Sequence, residues 1–233
     1  MIRNLLILDT ETSSLDPTTG RLLEVATALW SVEHRSLVKV RSWIVRSETN
    51  EAESVNGIPV ALLRDHPHAS NVNMTNKWVQ AWATEADCIV AHSSDFDRQW
   101  FGDAVQALPW ACSCNDIEWP RPSTSRGLTA LALAHGVGVV AAHRALDDVM
   151  TLVRLFERAA ELGGNLEVML TRALRPKALF EVADRGYSPE RNALAKANGF
   201  RFDDKDAGNK RWIRSMAVED AEKLPFAVQR VAA

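Results

Sequence analysis

The apolar run from Asn4 to Leu8 is closed by Asp9 and Glu11 in the segment ILDTETSSL, and this ending constrains the chain more than any other feature. A short apolar run with polar flanks reads as a buried strand. Strands alternate their side chains with period two, so both carboxylates leave the sheet on one face. Two such charges about 4 Å apart repel by roughly 4 kcal/mol at an effective dielectric near 20. A divalent cation between them turns that repulsion into attraction. An acid that ends a strand commonly serves a turn, but D-x-E on one strand face has no such use and reads as part of a metal site.

Two further segments carry acids in related settings. Asp97 in VAHSSDFDRQW follows the apolar run Cys88 to Ala91 and starts a helix expected over 95–107, with Phe96, Trp100, Ala104 and Leu108 as its core stripe. His143 opens HRALDD, where Asp147 and Asp148 begin a helix expected over 144–161 whose apolar positions are Leu146, Val149, Met150, Val153, Phe156 and Ala160. Taken singly, these are ordinary first-turn acids favoured by the helix dipole. Taken in order, strand acids, helix acid and His with acid read as a metal-dependent nuclease site.

In that order the chain resembles the DEDDh (DnaQ-like) 3′-to-5′ exonucleases, in the manner of the polymerase III epsilon-like and exonuclease X group. The family's first motif is matched by Asp9, Glu11, Thr12 and Leu15, its second by Ala91, His92, Phe96 and Asp97, and its third by His143, Ala145 and Asp148. The same spacing selects Asp97 over Asp95 and Asp148 over Asp147. Asn56-Gly57-Ile58 stands where the family often has H-G-I. The second motif departs at Ser93 and Ser94, where Asn and Ala are usual; loss of the amide removes a hydrogen-bonding group, with an effect expected on rate or specificity rather than on reaction class.

The resemblance implies an α/β, RNase H-like fold, a mixed five-stranded sheet flanked by helices. It implies two Mg²⁺ ions, replaceable by Mn²⁺, held by Asp9, Glu11, Asp97 and Asp148, with His143 as general base. Thr12, Leu15 and Ile58 are expected to contact the terminal nucleotide. The implied reaction is hydrolysis of terminal phosphodiesters of mainly single-stranded DNA to nucleoside 5′-monophosphates, in repair or proofreading, beside a replication or repair partner. RNA or short oligonucleotides are the alternative substrates, and a nucleic-acid-binding or tethering module is the alternative role.

A length of 233 residues suits one sizeable core and an appended unit. Gly163-Gly164-Asn165 reads as a helix terminus, which gives an exonuclease domain over 1–164 and a small basic α+β module over 165–233. The tail reads as a strand over 177–184, a helix from Ser188-Pro189 to Asn198, and a hairpin formed by 199–202 and 210–214. Its pattern resembles a module at the ends of some epsilon-like exonucleases. Residues 1–164 carry 14 Lys and Arg against 20 Asp and Glu, whereas residues 165–233 carry 13 against 10. A basic tail holding Lys210, Arg211, Trp212 and Arg214 suits single-stranded nucleic acid, with Trp212 as a stacking residue, although a Trp packed in the module's own core is the simpler reading.

Other features are read as structural. Trp30, Trp43, Trp78, Trp82 and Trp100 fall at apolar-periodic positions and are expected in the core. His66 and His68 flank a proline in a loop. Three cysteines, with no second pair beside Cys112 and Cys114, fit reduced thiols and a cytoplasmic location rather than zinc. No signal peptide and no span of about 20 apolar residues is expected, hence no membrane association.

Overall fold

The structure is a computed structural model, and it describes every residue except Thr124, Ala141, Ala142, Arg185, Tyr187, 205–207 and 232–233. It divides into two compact units, Met1–Leu174 and Arg175–Ala233.

The first unit opens with an antiparallel meander of β1 (Asn4–Thr12), β2 (Leu22–Ser31) and β3 (Ser36–Ile44). After α1 (Glu53–Asn56), α2 (Val60–Asp65) and α3 (Val72–Ala83), the chain returns as β4 (Cys88–Ala91), parallel to β1. It then passes through α4 (Ser94–Arg98) and α5 (Asp103–Gln106) to β5 (Trp110–Cys112), parallel to β4. α6 (Leu128–Ala134), α7 (Ala145–Glu161) and α8 (Leu166–Ala173) complete the unit. The sheet order β3-β2-β1-β4-β5 is the mixed five-stranded arrangement that the resemblance implied, with β1 at its centre.

The period of two sorts the core into layers. Leu5 and Ile7 join Ala28, Trp30, Val90 and the buried side of α7 on one face, whereas Leu6 and Leu8 join Val25, Ile89, Val79 and Val105 on the other. Burying a side chain of this size stabilises by roughly 1.5–3 kcal/mol.

Four local expectations are revised. The helix expected over 95–107 is two short helices, because Gly102 takes an extended backbone and starts α5, leaving both Trp100 and Phe101 turned into the core. α7 buries Ala145, Val149, Leu152, Val153 and Phe156 while Leu146 stays exposed; the small Ala145 lets the helix start close to β2. Trp78 is 41% exposed, with the Arg41 guanidinium over its ring, while Trp30, Trp43 and Trp100 are buried and Trp82 packs at the core's edge. The division between units falls after Leu174 rather than at residue 164, because Leu166, Met169, Leu170 and Ala173 of α8 pack into the first unit's core.

The second unit contains β6 (Ala178–Val182), α9 (Pro189–Ala197), β7 (Arg201–Asp203), β8 (Arg211–Met216), α10 (Val218–Ala221) and β9 (Val228–Arg230), with sheet order β7-β8-β6-β9. Ser188 caps α9 by accepting from the Arg191 N–H, with Pro189 in the first turn. Phe180, Val182, Ala195, Phe200 and Met216 form its core. β7 and β8 make the expected hairpin, although part of its Asp- and Gly-rich turn lies outside the described residues. Among the described residues, no helix is long and apolar enough to cross a membrane.

Candidate active site

β1 carries its acids past the last core residues. Positions 5, 7, 9 and 11 share the face on which α7 packs, and the register sets Asp9 opposite Ala26 and Glu11 opposite Glu24. α7 begins beside these strands, so Asp148 in its first turn meets the two strand acids. One carboxylate oxygen from each of Asp9, Glu11 and Asp148 lies within 4.8 Å of the others. Among the described residues this is the cluster fit to hold a metal ion; His66 and His68 do not belong to it.

Asp97 does not belong to that trio and is tied to β1 through Thr10. Its Oδ1 accepts from Thr10 Oγ1 at 2.8 Å, the residue is 1% exposed, and its Oδ2 has no hydrogen-bond partner among the described residues. Its charge nonetheless bears strongly on Asp9.

Burial and crowding push these acids toward their neutral forms. Asp9 is raised well above the usual carboxylate range, first by desolvation and then by the charges of Asp97, Asp148, Glu11 and Glu24. Glu11 is pushed up to about 7 by burial and by Asp148 and Glu24, against a downward pull from Arg144. Asp97 is raised by burial, opposed by its bond from Thr10. Asp148 is raised by burial, opposed by the backbone N–H and the charge of His143 and by the charge of His92. His92 lies beside Asp148 and is pushed down by burial, with Nδ1 2.9 Å from Ser113 Oγ.

This donor set fits hard divalent cations, which take oxygen ligands. The unpartnered, buried Asp97 Oδ2 is the group such an ion would satisfy, since a buried polar atom without a partner costs about 1–3 kcal/mol.

His143 is exposed, and its backbone lies in the left-handed region at φ 63°. The next two residues are anchored. Arg144 donates to Glu24 through Nε at 2.9 Å and Nη2 at 3.2 Å, and the Ala145 N–H reaches Glu24 Oε2 at 3.3 Å.

No family model and no curated protein matches the sequence. Solved structures do. Exonuclease X in complex with 5′-overhanging duplex DNA aligns with a TM-score of 0.53 and 21% identity over 72% of this chain and 99% of that one. E. coli exonuclease I in complex with a dT13 oligonucleotide aligns with a TM-score of 0.58 and 14% identity over 97% of this chain and 68% of that one. A 3′-exonuclease that recognises the histone mRNA stem-loop gives 0.55 and 16%, over 76% and 86%. Two further exonuclease I structures are matched over only about half their length, 48% and 50%. The chain has the fold of the DEDDh exonucleases.

Within that fold the expected substrate residues fare differently. Leu15 is 82% exposed beside the end of β1, and Thr12 is nearly buried, its hydroxyl donating to the Ser14 carbonyl at 2.8 Å. Ile58 does not meet its expectation: it is fully buried with Leu23 and Leu63, so its side chain faces the core. Its motif serves β1 instead, since Asn56 donates to the Thr12 carbonyl at 3.3 Å and Gly57 supplies the left-handed turn. Trp212 lies in the second unit.

Two residues at the site were missed in the sequence. Glu24 was readable as a lone acid inside the otherwise apolar strand LLEVATALWS; it also accepts from Ser42 Oγ at 2.9 Å and is 2% exposed. Thr10 carried no separate signal between the two acids.

Proposed function

We propose that the first unit is a metal-dependent 3′-to-5′ exonuclease releasing nucleoside 5′-monophosphates from mainly single-stranded DNA, in repair or proofreading. One observation carries this reading: the convergence of the half-buried carboxylates of Asp9, Glu11 and Asp148, whose raised pKa values mark acids short of positive charge. The exonuclease X and exonuclease I structures hold DNA, which supports the choice of polymer.

Asp9, Glu11 and Asp148 would hold one Mg²⁺, and Asp9 with Asp97 a second; Mn²⁺ suits the same oxygens. Bound there, such ions would supply Lewis acidity to the scissile phosphate and to the attacking water. His143, exposed beside Asp148, takes the proton from that water. The water oxygen bonds to phosphorus as the bond from phosphorus to the 3′-oxygen of the penultimate nucleotide breaks, and that oxygen takes a proton from solvent to become the new 3′-hydroxyl. Glu24, through Arg144 and Ala145, holds the segment that carries His143. Leu15 offers exposed apolar surface to the terminal base.

The test follows 5′-labelled DNA and RNA 20-mers in Mg²⁺ on a sequencing gel, with the released products separated by chromatography. The expected result is a ladder shortening by single nucleotides, with 5′-monophosphates released and DNA degraded faster. Oligonucleotide fragments or 3′-monophosphates would contradict the reaction, and faster loss of RNA would reassign the substrate.

A further inference from the structure

The second unit contains a cavity of about 460 Å³ that the exonuclease chemistry does not use. Val182, Asn192, Phe202, Lys210 and Trp212 line it, together with Asp184 and Arg211. Its size and its aromatic walls suit a planar ligand.

Phe202 and Trp212 pair across the β7–β8 hairpin, so their side chains lie on one face of the sheet. Their ring centroids are 5.4 Å apart and their planes are inclined by 56°. That spacing is too small to admit a base between the rings, so they form one bent aromatic wall. Phe202 is 49% exposed, so part of its ring is open to a ligand. The indole is fixed in place, with Nε1 donating to Asn192 Oδ1 at 2.9 Å. That bond orients the Asn192 amide and leaves its NH₂ to donate to a ligand.

The charges at the rim are divided. Asp184 is neutralised by Arg191 at 2.7 Å, and Arg211 is engaged by Glu181 at 2.9 Å. Lys210 is exposed and forms no ion pair among the described residues, so it remains for an anion. The basic excess of this part of the chain adds long-range attraction for a polyanion.

We infer that this cavity binds one unpaired nucleotide of a single-stranded nucleic acid, the base stacking on Phe202 and Trp212, its edge meeting Asn192 and its phosphate meeting Lys210. Stacking on an aromatic wall tolerates any base, because every base has a π-face. The site would give a sequence-independent grip on the strand, and the inference rests on the exonuclease reading only for the identity of that polymer.

The test measures binding of fluorescein-labelled dT20 and rU20 to the full chain by anisotropy in EDTA, where cleavage is silent, for wild type, Phe202→Ala and Lys210→Ala. Cleavage of thymidine 5′-monophosphate p-nitrophenyl ester in Mg²⁺ is followed in parallel, since that substrate is too small to occupy two sites. Phe202→Ala is expected to weaken dT20 binding about tenfold, and Lys210→Ala to weaken it less and flatten its salt dependence, with ester cleavage unchanged. Affinity unchanged in Phe202→Ala, with circular dichroism showing an intact fold, would overturn the inference. Loss confined to rU20 would also overturn it as stated and would point to a ribose-specific site. Failure of ester cleavage in wild type with these binding effects intact would sink the exonuclease reading alone.

Discussion

Glu24 lies directly across the β1–β2 register from Glu11 and takes both Nε and Nη2 of Arg144, so one buried acid ties β1 and its carboxylates to the segment that carries His143. Removing the guanidinium leaves Glu24 buried and unbalanced beside a second acid. Arg144→Ala is therefore expected to destabilise the fold by about 2–4 kcal/mol at pH 8, below the largest buried-pair losses because Arg144 is partly solvated. Urea denaturation in EDTA measures it. A loss under about 0.5 kcal/mol, the size of an exposed pair, would show that the contact is not structural.

Ser93 is one of the two positions at which the second motif departs from the pattern it resembles. It adopts φ 72° and ψ 48°, a left-handed conformation that costs L residues roughly 1–2 kcal/mol and that Asn tolerates better. Ser93→Asn is expected to raise stability by about 0.5–1 kcal/mol, read as an upward shift in Tm. An unchanged or lowered Tm would mean that the turn is not strained by serine.

Metal and pH are linked through the raised acids. In the folded, metal-free protein Glu11 holds its proton up to about pH 7, whereas the unfolded chain releases it in the usual carboxylate range, and Asp9, Asp97 and Asp148 shift in the same direction. The stability this confers is complete below the unfolded values and is lost as pH rises through the folded ones. Asp87, held low by the N–H groups of Asn4 and Arg3, acts in the opposite sense but at more acidic pH. Tm in EDTA is therefore expected to fall between pH 5 and pH 8, and Mg²⁺ to restore it at pH 8 far more than at pH 5. Scanning fluorimetry at both pH values, with and without Mg²⁺, gives the answer; a Tm indifferent to Mg²⁺ at pH 8 would contradict the metal assignment.

Thr10 orients Asp97 through one hydrogen bond inside the core. Thr10→Val keeps the shape and removes that bond, so it is expected to weaken Mg²⁺-dependent activity by about 10–100-fold, as losing a partner of a metal ligand typically does. The Mg²⁺ concentration giving half-maximal rate reads the effect. A wild-type Mg²⁺ dependence would place Asp97 outside the metal site.

The apolar alternation of β1 and the acids that end it were legible, because a period of two decides a face without knowledge of the partner strand. The convergence of Asp9, Glu11 and Asp148 was implied only by the resemblance, since the packing of α7 on the face of Leu5 and Ile7 is a tertiary contact that no local pattern shows. Glu24 was not seen, since its role depends on the register of β2 and on Arg144, which lies 120 residues away. Ile58 was misjudged because a resemblance transfers a position, whereas burial depends on the neighbours, here Leu23 and Leu63. β9 and α10 are too short for any periodicity to show.

The most direct measurement compares wild type with Asp9→Asn for release of thymidine 5′-monophosphate from dT20 bearing a free or a phosphate-blocked 3′ end, with Mg²⁺ or EDTA. Release that needs Mg²⁺ and a free 3′-hydroxyl and falls at least a thousandfold in a folded Asp9→Asn protein is the expected result; each 1.4 kcal/mol of lost barrier reduction accounts for about a factor of ten. Release that persists in EDTA, or that survives the substitution, would contradict the assignment of Asp9, Glu11, Asp97 and Asp148 as the metal-holding acids of a nuclease.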